Sequence, residues 1–206
     1  MLKNLSLLVA AFCSQLILAG ALPAQTQPQL QLTAEILGQS YCSAKSDTTL
    51  RLKTRLRYTN VGSHRVIVYK GHDLFYQTKV RSLPDAPGPP YEVHLLNMHY
   101  FDEEFERIDA RAPGRVFVTL APNESFQREL IVGIGVADDS RQRTSTSVLP
   151  GEHTLQLVVS TWYQSPKLAE HLRQQWQRKG FLWSQPLTSA PVKLSITKPS
   201  AVLPCR

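Results

Sequence analysis

Little in this 206-residue chain advertises chemistry. It has no G-x-S-x-G, no H-E-x-x-H, no G-x-x-x-x-G-K-[ST] and no C-x-x-C. By motif, this excludes nucleophile elbows, zincin sites, phosphate loops and thioredoxin-like redox pairs. Gly133-Ile134-Gly135 lies inside a strand pattern without a following helix, so it is no dinucleotide fingerprint. Beyond residue 21 no apolar run is long enough to span a membrane as a helix, which takes roughly 20 residues. Charged residues make up only 19% against 42% hydrophobic ones, which excludes a disordered chain. One stretch alone reads as a helix, so an α/β fold, which needs a helix between most strands, is excluded as well. No motif implies a cofactor.

Cysteine is scarce, and its placement is informative. Cys13 falls within "MLKNLSLLVAAFCSQLILAGA", where Lys3 precedes an apolar run from Leu5 to Leu18 and Ala19-Gly20-Ala21 closes it as A-x-A. That is the pattern of a secretory leader, residues 1–21, cut after Ala21, with Ala24 as a second candidate site. Gln15 interrupts the run, which argues against a retained anchor. Losing the leader removes Lys3 as its sole charge and takes the formal net charge from +7 to +6. Export predicts a secreted or periplasmic protein. Its two remaining cysteines, Cys42 and Cys205, are expected to pair in an oxidising compartment. The bridge would close a loop of 164 residues, both cysteines counted. In the chain-entropy picture that is worth about 4–5 kcal/mol.

After a polar linker, 22–28, the pattern of oily and wet residues has a period of two, the mark of half-buried strands. Leu30, Leu32, Ala34 and Ile36 share one face. "TLRLKTRLRY", 49–58, places Arg51, Lys53, Arg55 and Arg57 on one face and Leu50, Leu52, Leu56 and Tyr58 on the other. "NVGS" predicts a tight turn into "HRVIVYKG". "DLFYQTKV", "VHLLNMHYF", "RVFVTLAPNES", "FQRELIVGIGV", "LPGEHTLQLVVSTW" and "APVKLSI" supply further strands, and "SAKSDTT" after Cys42 reads as a loop. "SLPDAPGPPYE", 82–92, carries four prolines and must be irregular. The helix is "SPKLAEHLRQQWQRKG", 165–180. Ser165 is its cap, Pro166 stands in its first turn and Gly180 follows its end. Leu168, Ala169, Leu172 and Trp176 form its apolar stripe, with Lys167, Arg173, Gln174 and Arg178 toward water. Seven to nine short strands predict a single all-β domain, 29–206, an antiparallel β-sandwich with one helical insertion, 165–180, before the last strand.

"LRYTNVGSHRVIVY", "LAPNES" and "LPGEHTLQLVV" follow one another in the order strand–Asn–turn–strand, Pro-x-Glu, Pro-Gly-Glu. In this the chain resembles secreted bacterial immunoglobulin-like domains and is similar to the proteinase-inhibitor-like β-sandwich group. The resemblance implies an immunoglobulin-like fold and carries over no reactive-loop residue.

The candidate surfaces are few. Four cations in register along one strand face span about 20 Å and suit a polyanion. The same comb also suits the solvated side of an antiparallel sheet, with acids such as Glu129 opposite. Trp162, Tyr163, Trp176, Phe181 and Trp183 lie among Lys167, His171, Arg173, Arg178 and Lys179, a basic aromatic segment suited to a membrane surface, to stacking on sugars or to gluing the helix down. His94, His99 and Asp102 offer zinc-ligand chemistry, but a His-x4-His spacing matches no helix signature, and in a strand the two histidines point apart. Asp138 and Asp139 lack the spaced oxygens of a calcium loop. Asn123-Glu124-Ser125 is a glycosylation acceptor in a predicted bend.

The expected function is a non-enzymatic exported binding module. Its partner would be a protein or an anionic polysaccharide, met by Arg51, Lys53, Arg55, Arg57, Trp176, Arg173 and Arg178. No specific nucleic acid is implied. The alternatives are a metal-assisted hydrolase at His94, His99 and Asp102, and a proteinase inhibitor presenting loop 82–92.

Overall fold

The structure is a computed structural model that describes residues 29–44, 47–71, 74–84, 89–99, 111–162, 164–199 and 202–205. The leader 1–21, the linker 22–28, Asp102 and residues 85–88 of the proline-rich loop lie outside the described residues.

The chain is mostly strand with a single described helix. In order come β1 (Leu30–Ala44), β2 (Asp47–Asn60), β3 (Val66–Tyr69), β4 (Leu74–Ser82), β5 (Glu92–His99), β6 (Phe117–Leu120), β7 (Ser125–Val136), β8 (Ser147–Val148) and β9 (Gly151–Ser160). Then follow α1 (Pro166–Trp176), β10 (Phe181–Leu182), β11 (Leu187–Thr188), β12 (Val192–Ile196) and β13 (Leu203–Pro204). One sheet runs β13-β1-β2-β7-β8, a second β10-β3-β6, and a third β11-β9-β4-β5, with β12 also on β9.

The long pairings are antiparallel. Three two-residue pairings, β1 with β13, β3 with β10 and β7 with β8, are parallel. This departs from a purely antiparallel expectation: β13 and β10 return from far along the chain to dock on β1 and β3, and β8 folds back beside β7 across the loop 137–146. Four short strands follow α1 rather than one, because, besides "VKLSI" on β9, "FL" pairs with β3, "LT" with β9 and "LP" with β1.

The period-two reading describes β2 and β7 well. Leu50, Leu52, Leu56 and Tyr58 are buried, as are Leu130, Val132 and Ile134 opposite them. Each fully buried leucine contributes about 1.5–3 kcal/mol of transfer free energy. They meet Tyr76, Val80, Val93, Leu155, Leu157 and Val159 of the third sheet in one core cluster. β1 departs from the expectation in length and in phase. It continues to Ala44 through residues read as a loop, and its register shifts between Ile36 and Gly38. That bulge spends Leu37 as the extra residue and inverts the alternation, so Tyr41 rather than Ser40 shares the Leu50 face.

β3 is buried at all four residues because its sheet has two covered faces. Val66 and Val68 point into the main core, while Ile67 and Tyr69 join Phe117, Trp162, Leu172, Trp176 and Leu182 beneath the helix. α1 starts where expected: Pro166 stands in its first turn and the Ser165 hydroxyl accepts from Lys167 N–H. Gly180 has φ +153°, and a Cβ there would meet Arg65 O at 3.0 Å. Only glycine lets the chain turn this close to β3 and enter β10.

The Cys42–Cys205 bridge is present and ties β13 to the outer edge of β1, with Cys205 N–H donating to Ser43 O at 3.0 Å.

Candidate functional site

The comb cations all lie on the outer face of the first sheet, and the neighbouring strands decide what each can do. Glu129 of β7 faces Arg55 in register. Its carboxylate takes Lys53 Nζ at 2.8 Å and Arg55 Nη2 at 3.0 Å, while Glu35 of β1 takes Arg55 Nη1 at 3.4 Å. Hydrogen bonds from Lys53 and then Arg55 hold the Glu129 carboxyl below its usual pKa. These pairs are exposed, and such pairs add little to stability. Arg57 donates Nη2 and Nε to the Gln127 side-chain oxygen at 2.7 and 2.9 Å in the amide orientation that satisfies both groups. The comb is therefore not a row of equal cations: two of its four members share acids.

At the other end the surroundings change. Across from Arg51 stand Ser40 on β1 and Gly133 on β7, both uncharged and small. The bulge brings Gly38 opposite Lys53, and a Cβ on Gly38 would meet open space. The result is a shallow depression of about 380 Å³ lined by Gly38, Gln39, Ser40, Arg51, Lys53 and Ile131. Ile131 contributes an apolar wall and is 44% exposed. The Arg51 guanidinium, with the Glu129-paired Lys53 at the rim, an apolar side chain and small floor residues, can take a carboxylate, sulfate or phosphate group together with the carbon skeleton that carries it.

The basic aromatic segment is built differently. Trp176 is fully buried, edge-on to Phe117 with ring centroids 5.2 Å apart. Its side chain presents no outer surface, which corrects its assignment as a binding residue. Arg173, expected to face water, is half-buried and committed. Its Nε donates to Leu182 O at 3.0 Å, its Nη2 to Ser184 Oγ and its Nη1 to Glu170, and it covers the Phe181 ring at 4.9 Å. It fastens the helix to the chain leaving it. Arg178 is exposed beyond the end of α1. Lys179 Nζ donates to Arg111 O.

Among the described residues, no three His, Cys, Asp or Glu side chains gather as metal ligands would. His94 Nε2 donates to Glu92 and its Nδ1 accepts from Gln77, so both ring nitrogens are engaged. Asp138 pairs with Lys198 at 3.1 Å, and Asp139 caps a turn by accepting from the N–H groups of Arg141 and Gln142. No helix among the described residues is long and apolar enough to cross a membrane.

Three features escaped the sequence reading. Asn60, fully buried, donates Nδ2 to His64 O and Leu120 O and accepts Gly62 N–H on Oδ1. It joins the β2–β3 turn to the β6–β7 turn. Asn60 itself opens "NVGS", which was the visible signal. His153 is buried, with Nδ1 donating to Gly151 O at 3.0 Å and Nε2 accepting from the Tyr91 hydroxyl at 2.8 Å. Tyr91 also accepts Leu149 N–H, and Arg143 lies 4.4 Å over its ring. No local pattern announces a network spanning 62 residues. Third, Leu96 and Met98 of β5 are 72% and 60% exposed. The contiguous run Val93–Met98 concealed which of its faces was wet.

No family model matches the chain, and no curated protein matches it. Among solved structures, it is similar to a Bordetella pertussis protein assigned as ApaA, at 11% identity over 84% of this chain and 97% of that one, with a TM-score of 0.36. It is also similar to a structural-genomics target, at 12% identity over 85% of this chain and 89% of that one, with a TM-score of 0.31. Likenesses this distant leave both fold and function to be argued from the residues.

Proposed function

We propose that the protein is an exported immunoglobulin-like β-sandwich that works by binding, and that its ligand is an anionic polymer met on the outer face of the first sheet at the Arg51 end. The observation that carries this reading is the depression beside Arg51 and Lys53. There, small residues on both flanking strands and the exposed Ile131 side chain leave room for a charged group and its carbon frame. The +6 charge expected after loss of the leader draws it to acidic surfaces in general, and the depression gives that attraction a place to act. Export is supported by the leader pattern and fits the Cys42–Cys205 bridge.

The test compares two variants of identical net charge, Arg51→Ala and Arg55→Ala, titrated calorimetrically with heparin oligosaccharide. Loss of one charge-assisted contact worth about 1.5 kcal/mol predicts binding about tenfold weaker for Arg51→Ala. Arg55→Ala, which removes a side chain already shared between Glu35 and Glu129, is expected to bind within about twofold of the parent. Equal losses would reduce the interaction to net charge and end the reading.

A further inference from the structure

We propose that β5 is a self-pairing edge: two copies of the protein join their β5 strands antiparallel, with Leu96 of one opposite Leu96 of the second copy, to form one continuous sheet.

The first support is the direction of the backbone groups. Leu83 N–H donates to Glu152 O, and β4 pairs with β9 in the same register, so odd-numbered residues of β4 exchange hydrogen bonds with β9. Even-numbered residues of β4 therefore turn toward β5, in agreement with the bond from Ser82 N–H to Tyr91 O. Val93, Leu95 and Asn97 sit opposite Val80, Thr78 and Tyr76 and spend their backbone groups inward. Glu92, His94, Leu96 and Met98 direct theirs outward, and among the described residues β5 has a strand neighbour on one side only.

The second support is that, among the described residues, no strand pairs with this edge, whereas parts of the other edges are covered. β1 is edged by β13 and its disulfide. β7 has Ile131 O capped by the Tyr76 hydroxyl, and Arg128 reaches over to Lys70 O and Gly71 O. Exposed edges are commonly blunted with lysine, proline or a bulge. Residues 92–99 contain no lysine, arginine or proline, and they pair with β4 without a register shift. Instead they expose Leu96 and Met98, beside the half-buried Phe75.

The third support favours a second copy as the occupant. A two-fold axis at Leu96 sets Leu96 against itself and His94 against Met98 of the second copy. The even-numbered residues then pair with even-numbered residues, so alternate pairs have their backbone groups pointing across the junction, as an antiparallel ladder requires. An axis placed between Leu95 and Leu96 would set inward groups against outward ones and form no ladder. Residues 93–99 carry no Asp, Glu, Lys or Arg, so two positively charged bodies meet along a strip where no like charges oppose. Glu92, at the margin, is already held by Arg81 at 2.8 Å and by His94. Leucine against leucine on the outer face buries the most exposed large apolar residue of the strand.

Sedimentation equilibrium of the exported, disulfide-intact protein across the micromolar range tests this. The protein is expected to pass from one to two monomer masses with concentration. Leu96→Lys is expected to remain monomeric throughout and to melt like the parent at concentrations where the parent is itself monomeric, because the side chain is exposed. Leu96→Cys is expected to form an intermolecular disulfide on mild oxidation, and Leu95→Cys is not. A protein monomeric at every concentration would overturn the proposal. So would a dimer indifferent to Leu96→Lys, a cross-link at 95 in place of 96, or a monomer that gains mass only with an extended peptide from another protein.

Discussion

Replacing Asn60 probes the joint on which the turn geometry depends. The side chain is fully buried and makes three hydrogen bonds: to His64 O at 2.7 Å, to Leu120 O at 3.0 Å, and from Gly62 N–H at 3.1 Å. Its backbone makes two more, donating to Glu124 O and accepting from Asn123 N–H. Asn60→Ala keeps the backbone pair and removes the other three. His64 is exposed, so its carbonyl can turn to water. Gly62 N–H keeps its second acceptor, Gln29 O at 3.3 Å, so the buried Leu120 O is the group that loses its side-chain donor, at about 1–3 kcal/mol. The expected loss is about 1–3 kcal/mol in urea unfolding. Asn60→Asp is expected to be worse at neutral pH than Asn60→Ala, because a buried carboxylate would face two carbonyl oxygens. Protonation gives that carboxyl one donor, so the Asp deficit should shrink on acidification while the Ala deficit does not. The neighbouring glycine is equally constrained, since a Cβ on Gly62 would stand 2.8 Å from Gln29 N. Unfolding curves for both Asn60 variants within about 0.5 kcal/mol of the parent would refute the reasoning.

Two further outcomes follow from buried polar groups. Thr54 Oγ1 is buried without a hydrogen-bond partner among the described residues, on the core face between Ile36 and Leu130. Thr54→Val keeps the shape and removes the orphan, so it is expected to raise stability by about 1 kcal/mol in the same assay; a loss would show that the hydroxyl has a partner. Burial lowers the His153 pKa below its usual value, against a smaller opposing effect of the Gly151 carbonyl and Glu152. The unfolded chain therefore takes up the proton first as pH falls, and stability should drop between about pH 7 and pH 5. His153→Asn should flatten that portion of the profile, and a parent profile already flat there would contradict the assignment. A protonated Nε2 would have to donate to the Tyr91 oxygen that already accepts Leu149 N–H.

The sequence was most legible where one face is oily and the other wet. The alternation of β2 identified which side of Arg51–Arg57 meets solvent because the sheet has one covered face. α1 was legible from its cap, its stripe and Gly180. Less could be read where a face was covered twice, as in β3, or where the phase changed. Gly38 inside an apolar-alternating stretch is the usual mark of a bulge, and passing over it concealed both the inversion of β1 and the depression it creates. Arg173 looked like a surface group, and Trp176 was read both as part of the apolar stripe and as a binding residue, because composition reports which residues are near in sequence, whereas Phe117, Leu182 and Ser184 decide what they touch. The value of each comb cation likewise depended on its cross-strand neighbours. The registers of β1 and β7 settle that, and no local pattern encodes them.

The account's central claim is that ligand is met at the Arg51 end of the comb rather than along its whole length. Amide chemical-shift mapping of the isotope-labelled protein with heparin oligosaccharide tests it most directly. The expected result is a cluster of perturbed amides at Gly38–Ser40, Arg51–Lys53 and Ile131–Gly133. Shifts concentrated at Arg173–Arg178, or spread evenly over the positively charged surface, would contradict it.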